Sequence, residues 1–229
     1  MRYAAIERLL PRFLSRHLLF VEARIDSAVR AFAASLPPGA AVLDAGAGES
    51  PYAPLFAGLR YVAVDLGIGD ADWNYSRLDV RADLAALPFR EQSFDACIHI
   101  VTLEHVPRPA EVLSEIARVL KPGSRLLIVA PQDWEIHQAP HDYYRYTRHG
   151  LGFLLGAAGL EIDSLEPLGG FFRLLQRRVL NALQFFHGVW FLLALLAAAP
   201  AALILPAFEF LDRRRDFTLG YICLARRRS

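Results

Sequence analysis

Short apolar runs alternate with amphipathic stretches along most of the chain. Residues 3–35 place apolar side chains at helical spacing and are interrupted by Pro11, which predicts two short helices that end before Pro37. Four runs of apolar residues bounded by turn-forming positions then predict buried strands. These runs cover residues 41–44, 61–65, 96–100 and 125–130.

The segments around and after the fourth run continue the alternation. Pro109 to Leu120 has a helical period and is followed by Lys121-Pro122-Gly123, a helix stop and turn. Residues 151–160 predict another helix, while residues 161–167 and 217–225 are candidate last strands. Strands that alternate with helices pair in parallel through right-handed crossovers. We therefore expect a doubly wound α/β sheet.

A long apolar segment precedes the last predicted strand. Residues 179–208 contain no charged side chain and exceed the roughly 20 residues that span a bilayer as a helix. Arginines flank both ends, which favours both ends on one side of a membrane. Pro200 and Pro206 then predict bending into a re-entrant or interfacial hairpin. A helical lid or a homodimer interface in a soluble protein is the alternative.

Composition narrows the class of protein. The net charge of +1 gives no general attraction to nucleic acid. Cys97 and Cys223 each lie in an apolar run, which indicates buried core thiols. No metal is expected, because the cysteines are far apart and Pro140 prevents His137 and His141 from sharing a helical face. Charged residues interrupt any secretory leader, so we expect a cytoplasmic protein. Because of the apolar segment, we expect it to be peripheral at the inner face of the membrane.

A glycine-rich turn follows the first predicted strand. Asp44 and Ala45 lead into Gly46 and Gly48, which lie one residue apart. Glycines at such a turn let the backbone approach a ligand closely, and a following helix can present its N-terminus. Asp65 ends the second predicted strand, where it can accept hydrogen bonds from ribose hydroxyls. The pattern predicts a nucleoside-binding site.

This turn departs from the dinucleotide fingerprint. That fingerprint has a third glycine three residues after the second, and the chain has Pro51 there. A close approach to a pyrophosphate is therefore disfavoured, and so is a nucleotide-linked oxidoreductase. We expect a nucleoside ligand without phosphates.

Five segments in unbroken order resemble the class I S-adenosylmethionine (SAM)-dependent methyltransferases, in particular the branch for small molecules and lipid precursors. The resemblance covers about residues 40–170 and implies a Rossmann-like seven-stranded sheet whose last strand is antiparallel. The matching segments are Asp44-Ala45-Gly46-Ala47-Gly48, Val64-Asp65, Ala82-Asp83-Leu84 with Leu87-Pro88-Phe89, Ser93-Phe94-Asp95 through Leu103-Glu104-His105-Val106, and Leu120-Lys121-Pro122-Gly123 with Leu126-Leu127-Ile128.

The resemblance also implies SAM as cofactor and roles for matching positions. Asp44 would organise the loop near the methionine amino group, Asp65 would hold the ribose, and Asp83 with Leu84 would meet the adenine. His99 falls where the family backbone approaches the methionyl part. The expected cofactor-binding residues are Asp44, Ala45, Gly46, Gly48, Asp65, Leu66, Asp83, Leu84 and His99.

A loop dense in aromatic and titratable residues, residues 134–147, follows the strand predicted at 125–130. Ligands of open α/β sheets bind at this edge of the sheet. We expect His141 to act as a general base or to orient the acceptor, with Tyr143 shaping the pocket. In the alternative, the loop is a packed lid in which Asp142 pairs with Arg145 and the tyrosines belong to the core.

We thus expect one methyltransferase domain over residues 1–229, which transfers a methyl group from SAM to a small, lipid-like or lipid-linked acceptor. The alternative is a non-catalytic SAM-binding partner in an envelope-biosynthesis complex. The expected parts are a helical cap (1–38), a cofactor-binding core (39–170), an apolar helical insert (171–215), and a last strand and tail (216–229).

Overall fold

The predicted strands assemble into one mixed sheet in the computed structural model, which describes residues 11–229. The strand order is β3-β2-β1-β4-β5-β7-β6, with β7 antiparallel to β5. This confirms the expected seven-stranded sheet and its antiparallel last strand. The strands are β1 (Ala41–Ala45), β2 (Arg60–Asp65), β3 (Val80–Arg81), β4 (Phe94–Ile100), β5 (Leu120–Pro131), β6 (Leu160–Pro167) and β7 (Gly220–Arg227).

Helices cover both faces of the sheet. Leu126 and Ile128 of β5 belong to a buried cluster with residues of α3 (Pro109–Val119) and α4 (Arg148–Ala157). Successive side chains of a strand point to opposite faces, so Arg125 lies on the other face. There its guanidinium lies over the ring of Phe32, 5.7 Å from the centroid. Phe32 belongs to α2 (Phe20–Ala34), which follows α1 (Arg12–Leu18).

The helices expected before the sheet are described only in part. Helices α1 and α2 agree with the second half of the predicted amphipathic region. The apolar positions Ile6, Leu9 and Leu10, from which the first helix was predicted, lie outside the described residues.

The register of the central strands brings the predicted cofactor residues together. Asp44 of β1 pairs with Ala63 of β2 on one side and with Ile98 of β4 on the other. These three strands are parallel, so their carboxyl ends lie at one edge of the sheet. Asp44 and Asp65 are therefore neighbours at this edge.

The prediction of an α-helix after the glycine turn is wrong. Between β1 and β2 the described chain forms only a 3₁₀ turn, Ala53–Phe56, instead of an α-helix. Proline lacks a backbone N–H and clashes with the preceding helical turn, and Pro51 and Pro54 both fall in this short connection. The site is consequently bordered by a loop here, without a helix N-terminus.

Strand β5 begins earlier than the apolar run predicts. Leu120 already pairs with Phe94, and regular pairing resumes where Arg125 meets Ala96. The residues between form the irregularity, with Gly123 at a φ of +76°. The predicted Lys121-Pro122-Gly123 turn is thus an interruption within the strand.

The described chain divides into two compact units. The larger unit comprises residues 27–166 and 220–229 and contains the sheet, while the smaller comprises the N-terminal residues through Asp26 together with Pro167–Leu219. The expectation of a single domain over residues 1–229 stays a prediction.

The smaller unit contains the apolar insert as a pair of contacting helices, α5 (Phe171–Ala182) and α6 (Gly188–Ile204). The chain reverses between these helices, and α6 continues through Pro200. The α-helix gives way to a 3₁₀ turn, Leu205–Leu211, at Pro206, and a bend at Pro200 stays a prediction. The Gln176 amide donates to the carbonyl of Ala202 at 2.7 Å and so links the helices.

Residues Gly188–Leu211 are long and apolar enough to cross a membrane, by length and composition alone. Much of this segment is exposed, including the large side chains of Trp190, Leu192 and Leu196.

Candidate functional site

A cavity of about 600 Å³ opens at the carboxyl ends of β1, β2 and β4, within the larger unit. Ligand pockets in proteins usually have volumes of roughly 300–1,000 Å³. Three segments form one side of it, after β1, β2 and β3, and the segment after β4 and the loop after β5 form the other. The lining residues predicted from the sequence are Asp44, Gly46, Gly48, Asp65, Leu66, Asp83, Leu84, His141 and Tyr143.

The glycine turn is held close to its neighbours, and its glycines are needed for that approach. Gly46 has a φ of +87°, and a Cβ atom there would lie 2.2 Å from Cγ2 of Thr102. The Thr102 hydroxyl donates to the Gly46 carbonyl at 3.2 Å. At Gly48 a Cβ atom would lie 2.9 Å from Cζ3 of Trp73. Larger residues would displace the turn from its position at the cavity.

Asp65 connects the loop after β1 to the loop after β2, and both loops border the cavity. Its Oδ2 accepts from the Gly48 N–H at 3.0 Å and its Oδ1 accepts from the Gly67 N–H at 2.7 Å. A carboxylate offers about four lone-pair sites, so Asp65 keeps the capacity to accept hydrogen bonds from a ligand.

Asp44 is almost fully buried beneath the same loop and accepts a short hydrogen bond from the Tyr61 hydroxyl. Burial disfavours its ionised form and raises its pKa to about 7, against the opposing effect of the Tyr61 hydrogen bond; the nearby Asp65 charge adds to the rise. A positively charged group placed beside Asp44 would favour the carboxylate. The position therefore suits a ligand that carries an ammonium or sulfonium charge.

Ala45 and His99 lie outside the cavity lining. His99 is fully buried, and its Nδ1 is 2.6 Å from the carbonyl oxygen of Ala45. A carbonyl only accepts, so Nδ1 carries the proton, and burial lowers the pKa of His99. The side chain of His99 thus connects β4 to β1 as a neutral imidazole.

Asp83 and Leu84 border the cavity after β3. The Asp83 carboxylate accepts from the Ala85 N–H at 2.9 Å and so caps a short 3₁₀ turn. Leu84 is buried in that turn. One polar and one apolar group therefore lie together where an aromatic base with an exocyclic amine would fit.

The loop after β5 is fixed by one ion pair. Both carboxylate oxygens of Asp142 accept from the Arg145 guanidinium, at 2.5 and 2.8 Å. The guanidinium holds the pKa of Asp142 at about 2, well below its usual range. Arg145 also donates to the carbonyls of Trp134 and Glu135. The pairing that the packed-lid alternative predicted is therefore present.

The tyrosines of this loop differ in their environments. Tyr146 is buried and its hydroxyl donates to the Leu103 carbonyl at 2.8 Å. Tyr143 and Tyr144 are exposed, so the prediction that all these tyrosines belong to the core is wrong. The Tyr143 hydroxyl lies 3.1 Å from Nδ1 of His141, and both residues line the cavity.

A second group of side chains lies next to the cavity, and two of its three members, His105 and His137, line it. Nε2 of His105 lies 3.0 Å from Nε2 of His137, and Oε1 of Glu104 lies 3.7 and 3.6 Å from these two nitrogens. Glu104 is completely buried. The sequence separates His105 and His137 by a helix and a strand, so spacing gave no signal for this group.

Comparison with known proteins finds methyltransferases. Residues 43–128 match the family described as a methyltransferase domain. Over 100 residues the chain is 36% identical to an uncharacterized methyltransferase of Mycobacterium tuberculosis (strain ATCC 25177 / H37Ra), covering 40% of this chain and 39% of the relative. Over 99 residues it is 39% identical to a demethylmenaquinone methyltransferase of Renibacterium salmoninarum, covering 40% and 41%. The chain is thus similar to methyltransferases over residues 43–128.

The methyltransferase fold extends beyond the matched residues. The structure of a Burkholderia thailandensis 1,6-didemethyltoxoflavin-N1-methyltransferase, with bound 1,6-didemethyltoxoflavin and S-adenosylhomocysteine (SAH), covers 99% of this chain and 89% of its own. Its TM-score is 0.54 at 22% identity, which shows the shared fold. The sequence matches to the two curated relatives span about two fifths of their length.

The cavity fits SAM by its chemistry. Carboxylates of Asp44, Asp65 and Asp83 face it, and SAM offers an amino group, ribose hydroxyls and an adenine amine as donors. Leu66 and Leu84 supply apolar surface for the base. The residues present therefore fit SAM.

Proposed function

We propose that this protein transfers a methyl group from SAM to a small acceptor bound in the same cavity. The observation that carries the proposal is the continuity of that cavity, which extends from Asp44 and Asp65 to His141 and Tyr143. A methyl donor and an acceptor held in one enclosed space can align for in-line displacement, and alignment alone supplies much of the acceleration.

On the cofactor side, Asp65 would accept hydrogen bonds from the ribose hydroxyls and Asp44 would face the methionyl ammonium. Asp83 and Leu84 would contact the adenine. The glycine turn would let the chain pass close to the methionyl part. Bound SAM supplies a methyl group on a sulfonium, which leaves as SAH when the methyl carbon bonds to the acceptor.

On the acceptor side, His141 would take the proton that the acceptor atom loses. When its Nδ1–H donates to the Tyr143 hydroxyl oxygen, 3.1 Å away, Nε2 carries the lone pair that a general base needs. Tyr143 would also border the acceptor. An acceptor that already carries a free lone pair needs no base, so the role of His141 depends on the atom methylated.

An amphiphilic acceptor fits the apolar insert. One relative acts, by its name, on demethylmenaquinone. In this chain, Trp190 is 66% and Leu196 73% exposed on α6, and arginines flank the segment. An apolar surface with cationic borders suits an anionic membrane surface. We propose that this segment lies in the inner face of the membrane and that the acceptor is lipid-like.

Calorimetric titration with SAM and with SAH tests the cofactor assignment. We expect micromolar-range binding to the wild type and at least a tenfold loss in Asp65→Ala. Glu91→Ala, an exposed acidic residue outside the cavity, is the matched control and should bind SAM normally. Absence of binding by folded wild-type protein would refute the proposal.

A second measurement separates catalysis from simple cofactor binding. Protein bound to isotopically labelled SAM is incubated with membrane extracts, and the organic phase is assayed for label. Label in a product that His141→Asn or Tyr143→Phe makes more slowly supports the enzyme. Tight SAM binding with no labelled product from any extract would instead favour a non-catalytic SAM-binding partner.

A further inference from the structure

We propose that Glu104, His105 and His137 form a binding site for one divalent transition-metal ion such as Zn²⁺. The three side chains come from the turn after β4 and the loop after β5, and each offers one ligand atom. These atoms all lie within 4.8 Å of one another. Two imidazoles and one carboxylate are a common ligand set for such ions.

The hydrogen bonds of the two histidines fix which ring nitrogens can act as ligands. Nδ1 of His105 lies 2.6 Å from the His141 carbonyl, and Nδ1 of His137 lies 3.0 Å from the Glu135 carbonyl. Carbonyl oxygens only accept, so both Nδ1 atoms carry protons. In the neutral form of each ring, Nε2 is then the nitrogen with a free lone pair. Metal-binding histidines typically donate their second N–H to such acceptors.

Glu104 supplies the second, independent indication. Its side chain is completely buried, and neither carboxylate oxygen has a hydrogen-bond partner among residues 11–229. A buried carboxylate without hydrogen bonds is costly. A proton shared between the two Nε2 atoms would leave Oε1 3.6 and 3.7 Å away, beyond hydrogen-bond range. One cation at the centre would satisfy all three ligands.

The distances also match a metal polyhedron. Bonds of about 2.0–2.2 Å at tetrahedral angles separate the ligand atoms by roughly 3.3–3.5 Å. The observed separations are 3.0, 3.6 and 3.7 Å, so shifts of a few tenths of an ångström would complete the site. The surrounding loop is held by the Asp142–Arg145 pair, and the N–H of His137 donates to Asp142 at 2.9 Å.

His105 and His137 both line the cavity, so a metal ion held by them would be within reach of a ligand bound there. A metal with an open position can bind an oxygen atom of a ligand. We expect an acceptor with a hydroxyl or phenolic oxygen to coordinate there. This consequence rests on the proposed methyl transfer, whereas metal binding itself does not.

The test is a titration of chelator-treated, full-length protein with Zn²⁺, without SAM. We expect one equivalent to bind and the unfolding midpoint to rise. Glu104→Gln and His137→Gln should each weaken binding by about 100-fold or more, since even second-shell changes cost about 10–100-fold. His149→Gln, an exposed histidine on α4, is the matched control and should bind like the wild type.

Two outcomes would overturn the site. One is a folded wild-type protein that binds no stoichiometric Zn²⁺; the other is equal binding by the wild type and both ligand variants. Circular dichroism shows whether the variants fold, and the wild-type titration decides the question if they do not. SAM titration of the same samples shows separately whether the proposed function holds.

Discussion

The two sides of the cavity are built in different ways. On the proposed cofactor side, Asp44 and Asp65 lie at the ends of β1 and β2, and Asp65 accepts from the backbone N–H groups of Gly48 and Gly67. On the proposed acceptor side, a loop is held mainly by side chains, centred on Asp142 and Arg145. The first arrangement is fixed by the sheet itself. Residues of the loop after β5 can change without altering the sheet. Such freedom suits a loop that selects an acceptor.

The largest effect should come from Gly46→Ala. The new Cβ would lie 2.2 Å from Cγ2 of Thr102, at a φ of +87° that alanine rarely adopts. We expect the free energy of unfolding, measured in urea, to fall by about 3 kcal/mol, and SAM binding to be lost.

Gly123→Ala is the matched control for that change. Its φ is +76°, but a Cβ atom there would meet nothing within 4 Å. It should therefore cost only about 1 kcal/mol and leave SAM binding intact. Equal losses in the two variants would show that the contact with Thr102 is unimportant.

Arg145→Ala should separate the two sides. It leaves the nearly buried Asp142 carboxylate without its cation, and we expect unfolding to become easier by about 2 kcal/mol. The dissociation constant for SAM should change less than threefold, because the cofactor side has its own hydrogen bonds. Calorimetry on the folded variant measures this, and a tenfold loss of SAM affinity would mean that the two sides are coupled.

The raised pKa of Asp44 predicts that the free energy of unfolding depends on pH. Its pKa rises from 3.8 to about 7 on folding, so between these values the folded state binds more protons than the unfolded state. The free energy of unfolding should therefore fall as pH rises from about 4 to about 7, by at most about 1.4 kcal/mol per pH unit.

The affinity for SAM should also depend on pH, because the charge of Asp44 affects both folding and binding. A cationic ligand favours ionised Asp44, so binding below pH 7 should release up to one proton, and affinity should increase towards pH 7 and then level off. Titrations in buffers of different ionisation enthalpy count the protons. Asp44→Asn should abolish both dependences, and their persistence in that variant would assign them to another group.

The smallest effect on folding should come from Leu196→Glu on the apolar insert. Leu196 is 73% exposed, so we expect a change in unfolding free energy within about 0.5 kcal/mol. Flotation with anionic liposomes should nevertheless fall severalfold if the insert lies in a membrane surface. Phe153→Glu, at a site 75% exposed on α4, should not alter flotation. Equal flotation by both variants would remove the membrane from the proposal.

The cofactor side could be predicted because its geometry follows from local pattern. Asp44 and Asp65 each end an apolar run, and parallel strands place such positions at one edge of a sheet. The same pattern wrongly predicted an α-helix after the glycine turn. Pro51 and Pro54 disfavour that helix, and the chain forms a 3₁₀ turn there.

For the proposed acceptor side, the sequence predicted the position of the loop at the edge of the sheet but not the contacts of its side chains. His105 and His137 meet through the fold of two distant segments, and neither period nor spacing encodes a 3.0 Å contact. The pairing of α5 with α6 within the apolar insert was likewise not visible in the sequence. Such features depend on tertiary contacts, which a single sequence does not display.

The three tryptophans of this chain are distributed so that each reports on a different region. Trp73 lies against Gly48 on the cofactor side, Trp134 lies 5.7 Å from the ring of His137 on the acceptor side, and Trp190 is exposed on α6. Variants that keep one indole at a time would give three separate fluorescence signals. Rapid mixing could then time cofactor entry, acceptor entry and lipid contact individually, without any added dye.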